Sequence, residues 1–301
     1  MNRILNSLVV PFALLIHSAS AQLPPSTDIW LVPIKMVGEV LQTGTPENIT
    51  NRPGYDNQPS FFPDGSALLY TSLQTNPPGP QAPTQTDIFR YDIKSKHTTR
   101  VTTTPESEYS PTVMPGGTTF SVVRVEPDST QRLWQFDMAG QQPAVILPGI
   151  KAIGYHAWIN RSTVALFVIG NPLTLQIADV GTGNVDTVFS NIGRSIHKVP
   201  GKNSVGFVHK ISGNEWWIKE LSVSSRTESK VMQTVEGKED YAWTPYGFVV
   251  MAQDSKLFMY KTGHLTKWTE FADFSEKNIK GITRIAISPN GDWLAFVAAE
   301  Q

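Results

Sequence analysis

The stretch Gln58-Pro59-Ser60-Phe61-Phe62-Pro63-Asp64-Gly65-Ser66-Ala67-Leu68-Leu69-Tyr70 decides the fold. A short apolar run ends at Pro-Asp-Gly and a second apolar run follows. Proline presets φ at the second turn position, Asp bonds its own backbone, and Gly takes the φ > 0 position. Two strands joined this way form a β-hairpin. The pattern returns at Ser110-Pro111-Thr112-Val113-Met114-Pro115-Gly116-Gly117 and at Ile285-Ala286-Ile287-Ser288-Pro289-Asn290-Gly291. A further copy is Ala242-Trp243-Thr244-Pro245-Tyr246-Gly247, and weaker ones centre on Asn160 and Pro200. The aligned turn positions Pro63, Pro115, Asn160, Pro200, Pro245 and Pro289 are spaced by 52, 45, 40, 45 and 44 residues. That is the period of a four-stranded propeller blade.

The rest of each repeat fits a blade. A third, alternating strand follows every hairpin: Asp87–Ile93, Leu133–Asp137, Leu175–Val180, Trp216–Leu221 and Lys256–Tyr260. A more polar fourth strand, such as Thr98–Thr103, completes the unit. Period-2 alternation between closely spaced turns predicts antiparallel sheets, and no long helical period occurs. The sixth copy has two strands before the sequence ends at Gln301. The missing pair lies at the other end. Thr27-Asp28-Ile29-Trp30 matches the third-strand string Thr86-Asp87-Ile88-Phe89, and Val40–Thr50 matches a fourth strand and lead-out. The last blade is therefore expected to join residues 282–298 to residues 27–50. Such closure removes two exposed edges. The expectation is all-β: a six-bladed β-propeller of four-stranded antiparallel blades, closed by N- and C-terminal strands.

Composition narrows the function. The 301 residues include no cysteine, which excludes disulfides, cysteine nucleophiles, thiolate zinc sites and iron–sulfur clusters. A pI near 6.6 removes the basic field that non-specific nucleic-acid binding needs. Gly and Pro number 22 each, in keeping with many short strands and turns. Arg3, the apolar run Leu8–Ile16 and Ala19-Ser20-Ala21 read as a signal peptide over residues 1–21, cleaved before Gln22. The run is too short to span a bilayer, and no later stretch spans either. Residues 22–301 are then a single exported domain, periplasmic or extracellular. The strings Asn48-Ile49-Thr50 and Asn160-Arg161-Ser162 match the N-glycosylation pattern, which has no meaning in a bacterial chain.

The strings Gln58–Gly65 and Ile285–Gly291, with the Thr-Asp-Ile third strands at Asp28 and Asp87, resemble the blade repeat of TolB-like β-propellers, a branch of the WD-repeat-like superfamily. The resemblance covers nearly the whole mature chain, and its motif specifies a blade, not an activity. TolB itself carries an extra N-terminal domain for which no room is expected here. Copies three and four lack the Pro-Asp-Gly turn. The resemblance implies an exported propeller that binds something, a protein foremost.

The candidate site is the channel mouth where inner strands begin. The residues there are Tyr55, Asp56, Glu108, Tyr109, Tyr155, His156, Arg194, Asp240, Tyr241 and Arg284, with Asn57 and Thr283 beside them. Tyrosine combines contact area with a hydroxyl, so the set suits a peptide or sugar. The competing reading is that these residues tie blade to blade, as the acid ahead of the proline does in TolB-like repeats. Some TolB-like propellers are lyases that hold a metal through channel histidines. Here His97 and His264 fall on outer strands or turns, and His156 and His197 stand one register apart, on opposite faces. No His-x-His pair, HExxH or G-x-S-x-G motif occurs. Gly181-Thr182-Gly183 is a strand turn, since no helix follows it. No catalytic residue, metal or cofactor is expected. The proline-rich stretch 75–84 reads as a surface insertion, and Trp216-Trp217 puts adjacent rings on opposite faces. The sequence thus points to a monomeric, non-enzymatic scaffold that binds a protein partner in the cell envelope. The alternatives are a carbohydrate-active lyase or hydrolase working in the channel, or a module sensing a small ligand.

Overall fold

The structure, a computed structural model, describes residues 24–75 and 84–300. The signal segment 1–21 and all but the ends of the proline-rich stretch lie outside the described residues. Six antiparallel sheets follow one another. Blade 1 runs inner to outer through Asp56–Phe61, Ala67–Thr75, Thr84–Asp92 and His97–Arg100. Blade 2 consists of Ser107–Val113, Thr119–Val125, Gln131–Asp137 and Ala144–Ile146. Blade 3 has Ile153–Trp158, Thr163–Val168, Thr174–Asp179 and Val185–Ser190; blade 4 has Ile192–Lys198, Ser204–Lys210, Trp216–Ser222 and Glu228–Gln233. Blade 5 comprises Tyr241–Trp243, Val249–Gln253, Lys256–Tyr260 and Thr269–Asp273. Blade 6 takes Thr283–Ile287 and Trp293–Ala299 from the C-terminal end and Thr27–Val37 from the N-terminal end.

Closure is a continuous ladder. Thr27 to Pro33 pair with Ala299 to Trp293 in unbroken antiparallel register. The fourth strand of this blade differs from the single segment expected. It is split into Val40–Thr43, paired with Ile34–Val37, and Glu47–Asn48, paired with Trp30 and Leu31. Pro33 lacks an N–H, and Gly44 between the two pieces donates to the Pro33 carbonyl.

The turns behave as their residues dictate. Gly65, Gly117, Gly247 and Gly291 donate to the carbonyls of Phe62, Met114, Thr244 and Ser288, each with φ between 73° and 81°. Where blade 3 lacks the proline, Asn160 Oδ1 accepts from Ser162 N and Thr163 N, an Asx turn that does the same job.

Core formation follows from strand alternation. Ile29 and Leu31 face blade 1, while Trp30, Val32 and Ile34 face blade 5. The described residues hold six buried apolar clusters, one between each pair of neighbouring blades. Stability therefore comes from blade-on-blade burial around a ring.

The inner strands begin earlier than expected. Residues read as preceding them, including Asp56, Glu108, Tyr109, Tyr155, His156, Arg194, Tyr241 and Arg284, lie on the strands themselves; Tyr55 and Asp240 do precede them. In five blades the strand start carries a β-bulge, whereas Tyr241–Trp243 of blade 5 pairs in unbroken register. Pairing slips between Asn57 and Ser60, Tyr109 and Thr112, Ile153 and Tyr155, Ile192 and Ile196, and Thr283 and Ala286. Gln58, Ser110 and Arg284, each five residues before its turn proline, have φ of 57°, 53° and 52°. The bulge re-aims these side chains at the point where blades converge on the axis.

Candidate functional site

Counting back from each turn explains the wall of the central channel. At five residues before the turn stand Gln58, Ser110, Tyr155, Ser195, Asp240 and Arg284, and all six line a cavity of about 650 Å³ on the ring axis. The lining then continues outward to Pro63, Pro115, Pro200, Pro245 and Pro289. Of the ten candidate residues, Tyr155, His156, Arg194, Asp240, Tyr241 and Arg284 line this cavity, whereas Tyr55, Asp56, Glu108 and Tyr109 do not.

A crossbar bounds the cavity at the end where inner strands begin. Arg284 Nη2 in blade 6 donates to Tyr155 Oη in blade 3 at 2.7 Å, directly across the ring, and the guanidinium lies 5.0 Å from the centre of the Tyr155 ring. Asp240 joins this bar to blade 4. Its carboxylate sits 3.7 Å from Arg284 Nη1 and accepts from Arg194 Nη2 at 2.7 Å. Arg194 also pairs with Glu239 at 3.1 Å, which holds Lys210 at 2.9 Å. Tyr55 belongs to the same cluster. Burial pushes its phenol well up, opposed by Arg284, with Tyr155, Tyr109 and Arg194 also in electrostatic range. The sequence candidates Tyr55, Tyr109, Tyr155, Arg194, Asp240 and Arg284 thus gather at that end of the channel, where Tyr155, Arg284, Asp240 and Arg194 are linked to one another.

The four other candidates are buried between or beside blades. Asp56 is fully buried; it accepts from Arg52 Nη2 at 2.7 Å, and burial raises its pKa against that partner. Glu108 accepts from Thr102 Oγ1 at 3.1 Å and from Thr104 Oγ1, tying the lead-out of blade 1 to the inner strand of blade 2. Burial pushes this carboxyl up to about 7 despite those donors and Arg124. His156 Nε2 lies 2.7 Å from Ser121 Oγ, which also accepts from Trp158 Nε1 at 2.9 Å. Burial alone drops this imidazole to about 3, so it is neutral. Tyr241 and Trp243 take the same places two interfaces further on, but there Gly206 stands in the register of Ser121 and offers no hydroxyl to bond them. A Cβ on Gly206 would lie 2.8 Å from Tyr241 Oη and 2.9 Å from Trp243 Nε1. The large side chains of one blade thus require a small residue on its neighbour.

Sequence reasoning missed several lining residues: Gln58, Ser195, His197, Lys198, Trp158 and Trp243. The usable signal was distance from the turn, not distance from the strand start. His197 does sit on the opposite strand face from His156, as its register implies. Its ring meets Tyr241 edge-on at 4.8 Å and its Nε2 lies 2.9 Å from Ser195 Oγ. Burial lowers it to about 4, with Asp240 opposing. Trp216 and Trp217 are both half-buried, each faced by a lysine, Lys210 at 4.1 Å and Lys230 at 4.2 Å.

No group of three or more His, Asp or Glu residues placed to hold a metal occurs among the described residues. No helix among them is long and apolar enough to cross a membrane.

The class these features define is the TolB-like six-bladed β-propeller. A protein assigned as TolB from Agrobacterium tumefaciens superposes with a TM-score of 0.69 over 91% of this chain and 98% of that one, at 14% identity. TolB from Acinetobacter baumannii matches at 0.57 and 13% identity over 91% of this chain, which spans 64% of that protein. A puromycin-hydrolysing peptidase from Mycobacterium tuberculosis matches at 0.56 and 11% identity, over 81% of this chain and 45% of that one. At these identities the likeness is one of fold. No protein-family model and no curated protein matches the sequence.

Proposed function

We propose that the mature chain, residues 22–301, is an exported propeller that binds a protein partner through its central cavity and catalyses no reaction. The observation that carries this reading is the cavity's chemistry. Its wall mixes Phe61, Trp158, Trp243, Tyr155 and turn prolines with a few fixed polar groups, the composition of a recognition pocket. Asp240, the one acid among its described lining residues, is held by two arginines. Its two histidines are neutral and engaged. Capture from an envelope extract with mature protein tests the reading, alongside the exposed-site variant Lys198→Glu. The expected result is a partner retained by the parent protein and lost by the variant. Turnover of a sugar or peptide substrate, with no such partner, would overturn it. N-terminal sequencing of secreted material tests the export step, with Gln22 expected first.

One observation favours a second reading, a hydrolase. Ser195 Oγ and His197 Nε2 are 2.9 Å apart on the cavity wall, the separation of a nucleophile and its base. Against it, the same hydroxyl accepts from Tyr241 N at 3.3 Å, and burial holds the imidazole far below the basicity a general base needs at neutral pH. A fluorophosphonate probe that labels Ser195 would revive this reading.

A further inference from the structure

We propose that the cavity is a one-ended socket, entered from the face of the turn prolines, that selects an extended peptide segment carrying carboxylates. The inference rests on the protein-binding reading above and specifies the partner's chemistry. Its first support is the crossbar. The Tyr155–Arg284 hydrogen bond joins opposite blades, and Arg194 and Asp240 extend it sideways, so side chains bridge the axis at the end where inner strands begin. The cavity's described lining runs from this bar to the proline turns, of which Pro115, Pro245 and Pro289 are exposed. A ligand therefore meets the crossbar last.

The second support is charge. The charged lining residues are Arg194, Lys198, Arg284 and Asp240, three cations against one anion. Asp240 is already shared by the two arginines, Glu239 pairs Arg194 as well, and Lys198 is exposed on the wall with no ion pair among the described residues. A concave site with an excess of one sign concentrates ions of the other. Arg284 and Arg194 have further N–H donors for an incoming carboxylate, the geometry guanidinium serves best.

The third support is the wall itself. It consists of the free edges of six inner strands, whose outward backbone groups have no ladder partner on the channel side. An extended peptide offers matching donors and acceptors along its length.

The absence of native cysteine permits a direct test. Ser60 is half-buried on the cavity wall, and Ser60→Cys changes one atom; Thr112→Cys is the substitute should the first variant misfold. Modification rates are compared for an anionic reagent, 2-sulfonatoethyl methanethiosulfonate, and its cationic trimethylammonium counterpart, each normalised to a free thiol. The anionic reagent should react about fivefold faster at low salt, with the preference shrinking as salt rises. Lys198→Glu in the same background should abolish the preference. Tyr155→Ala, which removes the crossbar, should leave the rate unchanged if entry is from the proline face. Hexaglutamate at millimolar concentration should slow labelling, and hexalysine should not. Equal or inverted reagent rates, or a rate that rises steeply in Tyr155→Ala, would overturn the proposal. Protection by trigalacturonate but not by hexaglutamate would do so as well, by making the ligand an acidic sugar. These outcomes are independent of partner capture. An inverted charge preference with a captured partner sinks the socket alone; a retained preference without any partner sinks the protein-binding reading.

Discussion

At the residue scale, small and large side chains are matched across blade interfaces. Gly206→Ala places a Cβ against the buried polar ends of Tyr241 and Trp243, and should cost about 1–3 kcal/mol in urea unfolding. Buried ionisable groups set the pH response. His156 and His197 have folded pKa values of about 3 and about 4, below the ordinary 6.5. Their contribution is complete above pH 6.5 and is lost as pH falls towards those values. Glu108, raised from 4.5 to about 7, acts in the opposite sense. Its contribution is complete below its unfolded value and is lost as pH rises through 7. Stability should therefore peak in mildly acid solution, and Glu108→Gln should flatten the decline on the alkaline side. Denaturation midpoints measured from pH 4 to 9 check both limbs. The ring protons of His156 and His197 should show no titration in NMR down to pH 5.

At the element scale, the inner-strand bulge is the unit that builds the site. It turns Gln58 so that its Oε1 accepts from Ser110 N at 2.8 Å in the next blade and from Thr71 Oγ1 at 3.0 Å. Removing this acceptor leaves a buried N–H without a partner. Gln58→Leu should thus cost about 2 kcal/mol, while Gln58→Glu, which keeps the acceptor, should cost less. Thermal melts of the two variants discriminate the staple from mere packing. The third strands carry a parallel device. Thr50 Oγ1 accepts from Ile29 N, and Thr102 Oγ1 accepts from Ile88 N, so each Thr-Asp-Ile strand is pinned by a threonine of its own lead-out. The repeated string seen in the sequence is therefore a structural clamp, with Asp28 accepting from Thr50 and Asp87 pairing with Arg100.

At the scale of the molecule, ring closure supplies the stability that a chain without cysteine cannot draw from disulfides. Removing residues 24–50 would strip the third and fourth strands from blade 6 and expose the edge of Trp293–Ala299. That edge is apolar, and Leu294–Ala298 are fully buried in the closed ring. The truncated chain should aggregate, or unfold without a single cooperative transition, by light scattering and calorimetry.

The sequence by itself determined the number of blades, their order and the way the termini share the last one. These are properties of local turn chemistry and strand period, and each copy can be read without its neighbours. It also named six of the residues that meet in the axial cluster, because tyrosine and arginine ahead of the turns stood out from the alternation. Only the tertiary structure decided what those residues do. The Tyr155–Arg284 bond joins positions 129 residues apart, from blades that never touch through their sheets, and no repeat contains that information. Likewise, Lys198 and Trp243 reach the cavity because six inner strands converge on one axis. Convergence is a property of the closed ring, so the open end of the socket and its charge become visible only once the ring is built.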